Sequence, residues 1–196
     1  MFANRFTVVI DACVLASALK RNVLLSLAEA EFFRPRWSEA ILSETERAIS
    51  SIIEPQKGVE ADVMARRHVD QIRTAFTDGI VQDYEIHVQS LAGLPDLNDG
   101  HVVAAALKTG AALIVTENLK DFPVRVLGTL GIEAKSADAF IADTIDLDIG
   151  RAVTAIHRMR HRFKRPALTA EDLLLRFEKT GLVESSDMLR SHVLSL

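Results

Sequence analysis

The chain predicts an α/β domain, a parallel sheet flanked by helices, followed by a small helical carboxyl-terminal extension. Short β-branched apolar runs, TVVI at 7–10 and ALIVT at 112–116, are long enough for strands buried on both faces. Helical patterns separate the strand candidates, and this alternation is that of a parallel sheet. Beyond residue 145 the pattern is helical only, which divides the chain into a domain over 1–145 and an extension over 146–196.

After the first strand, residues 13–31 read as two short helices, with LLSLAEAEF supplying apolar residues at helical spacing. FFRPRW is a short strand candidate, and Ser38 is placed to cap the helix that follows. On that helix Ile41, Ala48 and Ile52 mark an apolar face. Glu44 lies beside it and can turn inward, whereas Glu39 and Glu46 are expected in solvent. Residues 59–76 form a charged amphipathic helix, 81–86 a strand, and LAGLPDLNDG a loop. Asn98 is suited to cap the helix of DGHVVAAALKTG, which Gly110 ends. The run ALIVT precedes the polar loop ENLKDFP, the helix candidate VRVLGTL, the small strand IEAK and the helix of SADAFIADTI. In the extension, TAED at 169–172 is a capping-box-like start, and Leu173, Leu174 and Phe177 fall on one side of its helix.

With 196 residues, 48% of them hydrophobic, the chain can fill a core without covalent staples. Its single cysteine, Cys13, excludes an internal disulfide. MFANRFTVVI lacks the charged and long apolar regions of a secretory signal, and no apolar run approaches the roughly 20 residues that cross a bilayer, so a soluble cytoplasmic protein is expected. The formal charge of −4 argues against a surface basic throughout. The segment RAVTAIHRMRHRFKR, 151–165, nevertheless concentrates six cations, Arg151, Arg158, Arg160, Arg162, Lys164 and Arg165, with no acid. Such a run is ordinarily a solvated helix face; it also suits an acidic partner or the phosphates of RNA, with Arg158, Arg160 and Arg162 as the candidate contacts.

Five carboxylates stand where apolar runs stop: Asp11, Glu44, Asp96, Asp99 and Asp121. Acids gathered at strand and helix ends can hold a hard divalent cation, which prefers oxygen ligands and offsets the repulsion between them. A phosphodiester is cut by an in-line water; a cation lowers that water's pKa, and a carboxylate accepts its proton. Taken singly, each has a plainer role. Asp11 can cap the next helix, Glu44 can be solvated, and Asp99 can complement a helix dipole. His101 on the same first helical turn reads as structural before catalytic, and Trp37 as core or a helix-entry staple before a base-stacking residue.

In order, spacing and context, VVIDACVL, WSEAILSE and LPDLNDGHVVAAALKTGAALIVTENLKDFP resemble the motifs of PIN-domain nucleases, especially the VapC-like toxins of bacterial toxin-antitoxin pairs. The likeness covers roughly residues 6–145. It implies a PIN-like sheet and Mg²⁺- or Mn²⁺-dependent endoribonuclease activity. It further implies Asp11, Glu44, Asp99 and Asp121 as the metal-binding acids, Asp96 as an auxiliary catalytic acid, and Thr116 and Asn118 as polar support on the substrate side. A small antitoxin and homodimerisation follow from the same likeness. Cys13 stands where many relatives carry Asn or Ser, which could weaken a supporting hydrogen bond. Glu117 is an additional acid in the loop, either bystander or ligand. A haloacid-dehalogenase-like phosphatase needs Asp at position 13, and a receiver-like phospho-acceptor needs an amino-terminal acidic pair and a later Lys. Neither pattern is met. A PIN-like protein that binds RNA or a partner without cleavage is the remaining alternative.

Overall fold

Strands β1 (Thr7–Ile10), β2 (Arg34–Ser38), β3 (Ile80–Val81), β4 (Leu113–Val115) and β5 (Glu133–Lys135) form one parallel sheet in the order β3-β2-β1-β4-β5. The structure is a computed structural model that describes residues 6–88, 91, 94–164 and 167–196. Val8, Val9 and Ile10 of β1, and Ile114 and Val115 of β4, are fully buried, as an apolar run between two helical layers requires. All strand pairs being parallel, every strand ends on the same edge, and Asp11 and Thr116 leave the two central strands there.

Helices α1 (Ala12–Leu15) and α2 (Ala18–Glu29) follow β1, and α3 (Glu39–Lys57) and α4 (Ala61–Ala75) form a hairpin after β2. After β3 come α5 (Glu85–Val88) and α6 (Gly100–Thr109); α7 (Val124–Leu127) links β4 to β5. The chain closes with α8 (Ala137–Leu147), α9 (Ile149–Arg160), α10 (Ala170–Lys179) and α11 (Val183–Arg190). Two caps form at the positions expected: Ser38 Oγ accepts from Ile41 N at 3.2 Å, and Thr169 Oγ1 from Asp172 N at 3.1 Å. Gly110 ends α6 in the left-handed conformation, φ 62°.

Local reading fails in three places. The strand expected over 81–86 stops at Val81, because Asp83 adopts φ 53° and the chain turns into α5. On α3 the buried face is Ile41, Leu42, Thr45 and Ile49, while Ile52 is 58% exposed. Thr45 makes this possible, since its hydroxyl donates to the Ile41 carbonyl at 2.8 Å and carries no unmet polar group inward. Glu46, expected in solvent, is drawn against Arg66 and is less exposed (27%) than Glu44 (37%). Finally, Asn98 is not the cap of α6. A 3₁₀ turn, Leu97–Asp99, runs straight into the helix, so Asp99 takes the cap position without a side-chain bond, and the Asn98 carbonyl faces His101.

Trp37 is fully buried on β2, edge-to-face with Phe76 at 5.9 Å, which settles it as core. Its indole crowds Gly79: a Cβ there would stand 2.9 Å from Cζ2 and 3.1 Å from Cε2 of the ring. Neither the indole nor the strand pairing of Trp37 with Ile80 can yield easily. Gly79→Ala is therefore expected to cost about 1–3 kcal/mol, read as a lower urea midpoint; an unchanged midpoint would show that β3 shifts freely.

One apolar cluster extends from β1 through α2 and α8 to Ile156 and Met159 of α9, Leu173, Leu174 and Phe177 of α10, and Leu189 of α11. α9 packs on α2 and α8, and α11 on α8 and α10. Among the described residues no helix is long and apolar enough to cross a membrane.

Candidate active site

Asp11 is 6% exposed and continues the sheet ladder, donating its backbone N–H to the Val115 carbonyl at 3.0 Å. Its carboxylate has three donors. Oδ1 caps α1 through Ala12 N at 2.6 Å, and Oδ2 accepts from Thr116 Oγ1 at 2.7 Å and from Cys13 Sγ at 3.0 Å. The capping role and the site role therefore coexist in one side chain. Thr116, fully buried, is itself held by the Asn118 N–H, which donates to its hydroxyl at 3.0 Å. Asn118 Nδ2 in turn donates to the Asp121 carboxylate, on the 3₁₀ turn Leu119–Asp121. A continuous hydrogen-bonded chain thus runs from Asp11 to Asp121.

Cys13 does not forfeit the supporting bond. Burial of Sγ, then the charge of Asp11, pushes the thiol up to about 11, so at neutral pH it keeps its proton and donates it to Asp11. Glu117 is turned elsewhere, pairing with Lys20 at 2.8 Å and accepting from Ala137 N at 3.4 Å. Neither Lys20 nor this pairing is signalled locally, because the partner comes from α2.

Asp99, half-buried, is pushed from 3.8 up to about 6, first by burial and then by the charges of Asp11, Asp121 and Asp96, against a smaller downward pull from His101. Four of the five predicted acids therefore lie within electrostatic reach of one another. Asp96 is exposed and accepts from Asn98 N at 2.8 Å, closing the turn that leads into α6. Glu44, on α3, reaches this group through His101, whose Nε2 is 3.4 Å from Glu44 Oε2; Arg47 lies 3.9 Å from its other oxygen. Among the described residues no three His, Cys, Asp or Glu side chains close to ligand-sharing distance. The donor set is nevertheless one of carboxylate oxygens whose mutual repulsion a hard dication relieves.

The raised Asp99 fixes the sign of a pH effect. A carboxyl that holds its proton more tightly folded than unfolded destabilises the fold above its folded pKa, and that cost fades as pH falls from about 6 towards 3.8. Asp99→Asn is expected to raise the melting temperature of metal-free protein at pH 7 by about 2–4 °C, or about 1 kcal/mol once solvent screening of a half-exposed group is allowed for. The gain should vanish at pH 4; an equal gain at both pH values would show that repulsion among the aspartates is not its source.

Residues 151–160 of the basic segment lie on α9, which packs on α2. Arg160 donates to the carbonyls of Leu196, at 2.8 Å, and Leu168, while Arg162 pairs with Glu29 at 2.6 Å. Arg151 lies over the Phe32 ring, 4.0 Å from its centroid. Arg158 is exposed and has no ion pair among the described residues; Arg165 lies outside them.

With this geometry in place, a PIN domain family model matches residues 7–120, more than half of the chain. The chain belongs to the PIN domain family. A second model, the VapC50 C-terminal domain, matches 137–191 and takes in α8 to α11 up to Arg190. A relative from Mycobacterium tuberculosis (strain ATCC 25618 / H37Rv), "Putative ribonuclease VapC50", is 38% identical over 76 residues, 39% of this chain and 45% of its own length. The matched stretch thus spans less than half of that relative. No solved structure matches the chain. The parallel sheet flanked by helices that the likeness implied is observed, with five strands, and Asp11, Glu44, Asp96 and Asp99 lie within the matched segment, with Asp121 one residue beyond it.

Proposed function

We propose that this PIN domain is a metal-dependent endoribonuclease and the toxin of a toxin-antitoxin pair, cytoplasmic, homodimeric and held inactive by a small antitoxin. The observation that carries the reading is the gathering of Asp11, Asp96 and Asp121 around Asp99, whose carboxyl is pushed up first by burial and then by their charges. The name of the Mycobacterium tuberculosis relative supports RNA as the substrate. In this reading Asp11, Glu44, Asp99 and Asp121 hold Mg²⁺ or Mn²⁺, and Asp96 assists. A bound dication would lower the pKa of the attacking water and offset charge on the phosphoryl oxygens.

The chain's own groups have distinct parts. Thr116, Cys13 and the Ala12 N–H hold the Asp11 carboxylate in one orientation through three donated hydrogen bonds. In the same reading Thr116 and Asn118 give polar support on the substrate side. Asp99, pushed up to about 6 by burial and its acidic neighbours, is the acid whose charged form a bound dication would favour most. Arg158, with Arg160 and Arg162 beside it, is the phosphate contact on α9, and residues 146–196 serve as a helical extension that covers α2 and α8.

Cleavage of a total-RNA pool by purified protein in Mg²⁺, Mn²⁺ or EDTA tests the reading, with Asp11→Asn as the control for contaminating ribonuclease. Metal-dependent products absent from the variant are expected. An intact pool with antitoxin-free protein in either metal would instead favour a PIN domain that binds without cutting.

A further inference from the structure

We propose that the groove between α2 and the helical extension is the track of a single RNA strand leading to the acidic site, a placement that rests on the nuclease reading above. Three adjoining clefts, of about 410, 450 and 290 Å³, make up the groove. The first lies between α2 and α9, the second between α2, α4 and the end of α9, and the third between the head of α2 and α10. Ser26, Glu29 and Arg162 line both the first and the second, and Ala18, Asn22 and Phe163 both the second and the third. The three are therefore continuous along the 12 residues of α2, a length of about 18 Å. The head of the groove adjoins the acidic site. Ser17 and Ala18 line it, and Lys20, on the same turn, pairs with Glu117, the neighbour of Thr116.

Charge selects the occupant. Six cations line the groove, Arg151, Arg158, Arg162, Arg21, Arg176 and Lys179, against two acids, Glu29 and Glu31, in a chain whose formal charge is −4. Glu29 is already paired with Arg162. Arg158, Arg176 and Lys179 are exposed and have no ion pair among the described residues, so their charges stand available along the rim. Arg21, on the floor, is 6% exposed; it donates to the carbonyls of Leu15 and Ala16, at 2.5 and 3.3 Å, and has no carboxylate partner among the described residues. A guanidinium buried without an acid leaves its field in the cleft above it, where a phosphate is drawn. Cations spread over the whole length of α2, rather than gathered at one point, match a backbone that carries a charge at every repeat. Arg160 is not part of this surface, because the Leu196 and Leu168 carbonyls hold its guanidinium. Where the second and third clefts meet, half-buried Phe163 lines both. A cationic groove with an aromatic ring in it suits a single strand, with phosphates on the charges and a base on the ring.

Binding is read apart from cleavage in EDTA with full-length Asp11→Asn protein, by fluorescence anisotropy of a labelled single-stranded RNA of about 12 nucleotides. The triple variant Arg158→Gln, Arg176→Gln, Lys179→Gln should weaken binding at least about 10-fold at low salt. It should also reduce the dependence of log affinity on log salt by about 2, three phosphate contacts at about 0.7 each. A control triple with the same change in charge, Lys57→Gln, Lys108→Gln, Arg125→Gln, removes exposed cations outside the groove and should stay within about 3-fold. Phe163→Leu should cost about 5-fold or more with the salt dependence unchanged, because stacking is not an ionic contact. Equal affinity in the groove triple and the control, or no RNA binding by the parent protein, would overturn the proposal. So would a groove triple that loses an oligoglutamate peptide and keeps RNA, which would assign the groove to an acidic protein partner. The charge variants lie at exposed positions and decide the matter even where Phe163→Leu fails to fold. An RNA pool left intact by wild-type protein that binds RNA through the groove would sink the nuclease reading alone. Cutting that persists with unchanged RNA affinity in the groove triple would sink the track alone.

Discussion

Asp11→Asn is expected to lower RNA cleavage at least about 10³-fold while leaving the fold intact. The substitution removes a charge and almost nothing else. Asn Oδ1 can still accept from Ala12 N, preserving the α1 cap, and the hydroxyl and thiol that now donate to Oδ2 can rotate to accept from an amide. Repulsion on Asp99 falls at the same time, so the metal-free variant should melt at the wild-type temperature or slightly above it. Asp11→Ala is the informative contrast. It loses the cap, worth about 1 kcal/mol, and leaves the Thr116 hydroxyl without its acceptor in a buried place. A metal-responsive, active Asp11→Asn protein would dismiss Asp11 from the site. An Asp11→Asn protein that unfolds would show that the charge is needed for folding.

Phe177→Ala should be the most destabilising of the changes considered, costing about 3–5 kcal/mol and lowering the melting temperature by on the order of 10 °C. Phe177 is fully buried on α10, far along the chain from the sheet, yet in the same apolar cluster as β1, α2 and α8. The extension therefore shares the core of the PIN domain, and damage to it should appear as one cooperative transition at lower temperature. Two resolved transitions, with only the first displaced, would mean that α9 to α11 fold as an independent unit.

The parts of this protein legible without coordinates are those governed by neighbours in the chain. Apolar runs ending in acids marked the strand ends; Ser38 and Thr169 announced their helices, and Gly110 the end of one, because caps and left-handed turns are local chemistry. The likeness to PIN domains rested on such strings. Errors arose where a distant partner or a single backbone torsion decided the outcome. Asp83 broke a strand that its flanking residues favoured, and the hydroxyl bond of Thr45 rotated the buried face of α3 away from Ile52.

By itself the sequence determined the class of fold and the edge of the sheet to which Asp11 and Thr116 belong, since period and residue type are properties of short segments. Only the tertiary structure decided what the acids experience. The protonated donor at Cys13, the diversion of Glu117 to Lys20, the raised Asp99 and the link from His101 to Glu44 each join residues from different segments of the chain. Burial and charge act through space, and the string of residues does not record which groups the fold brings within a few ångströms.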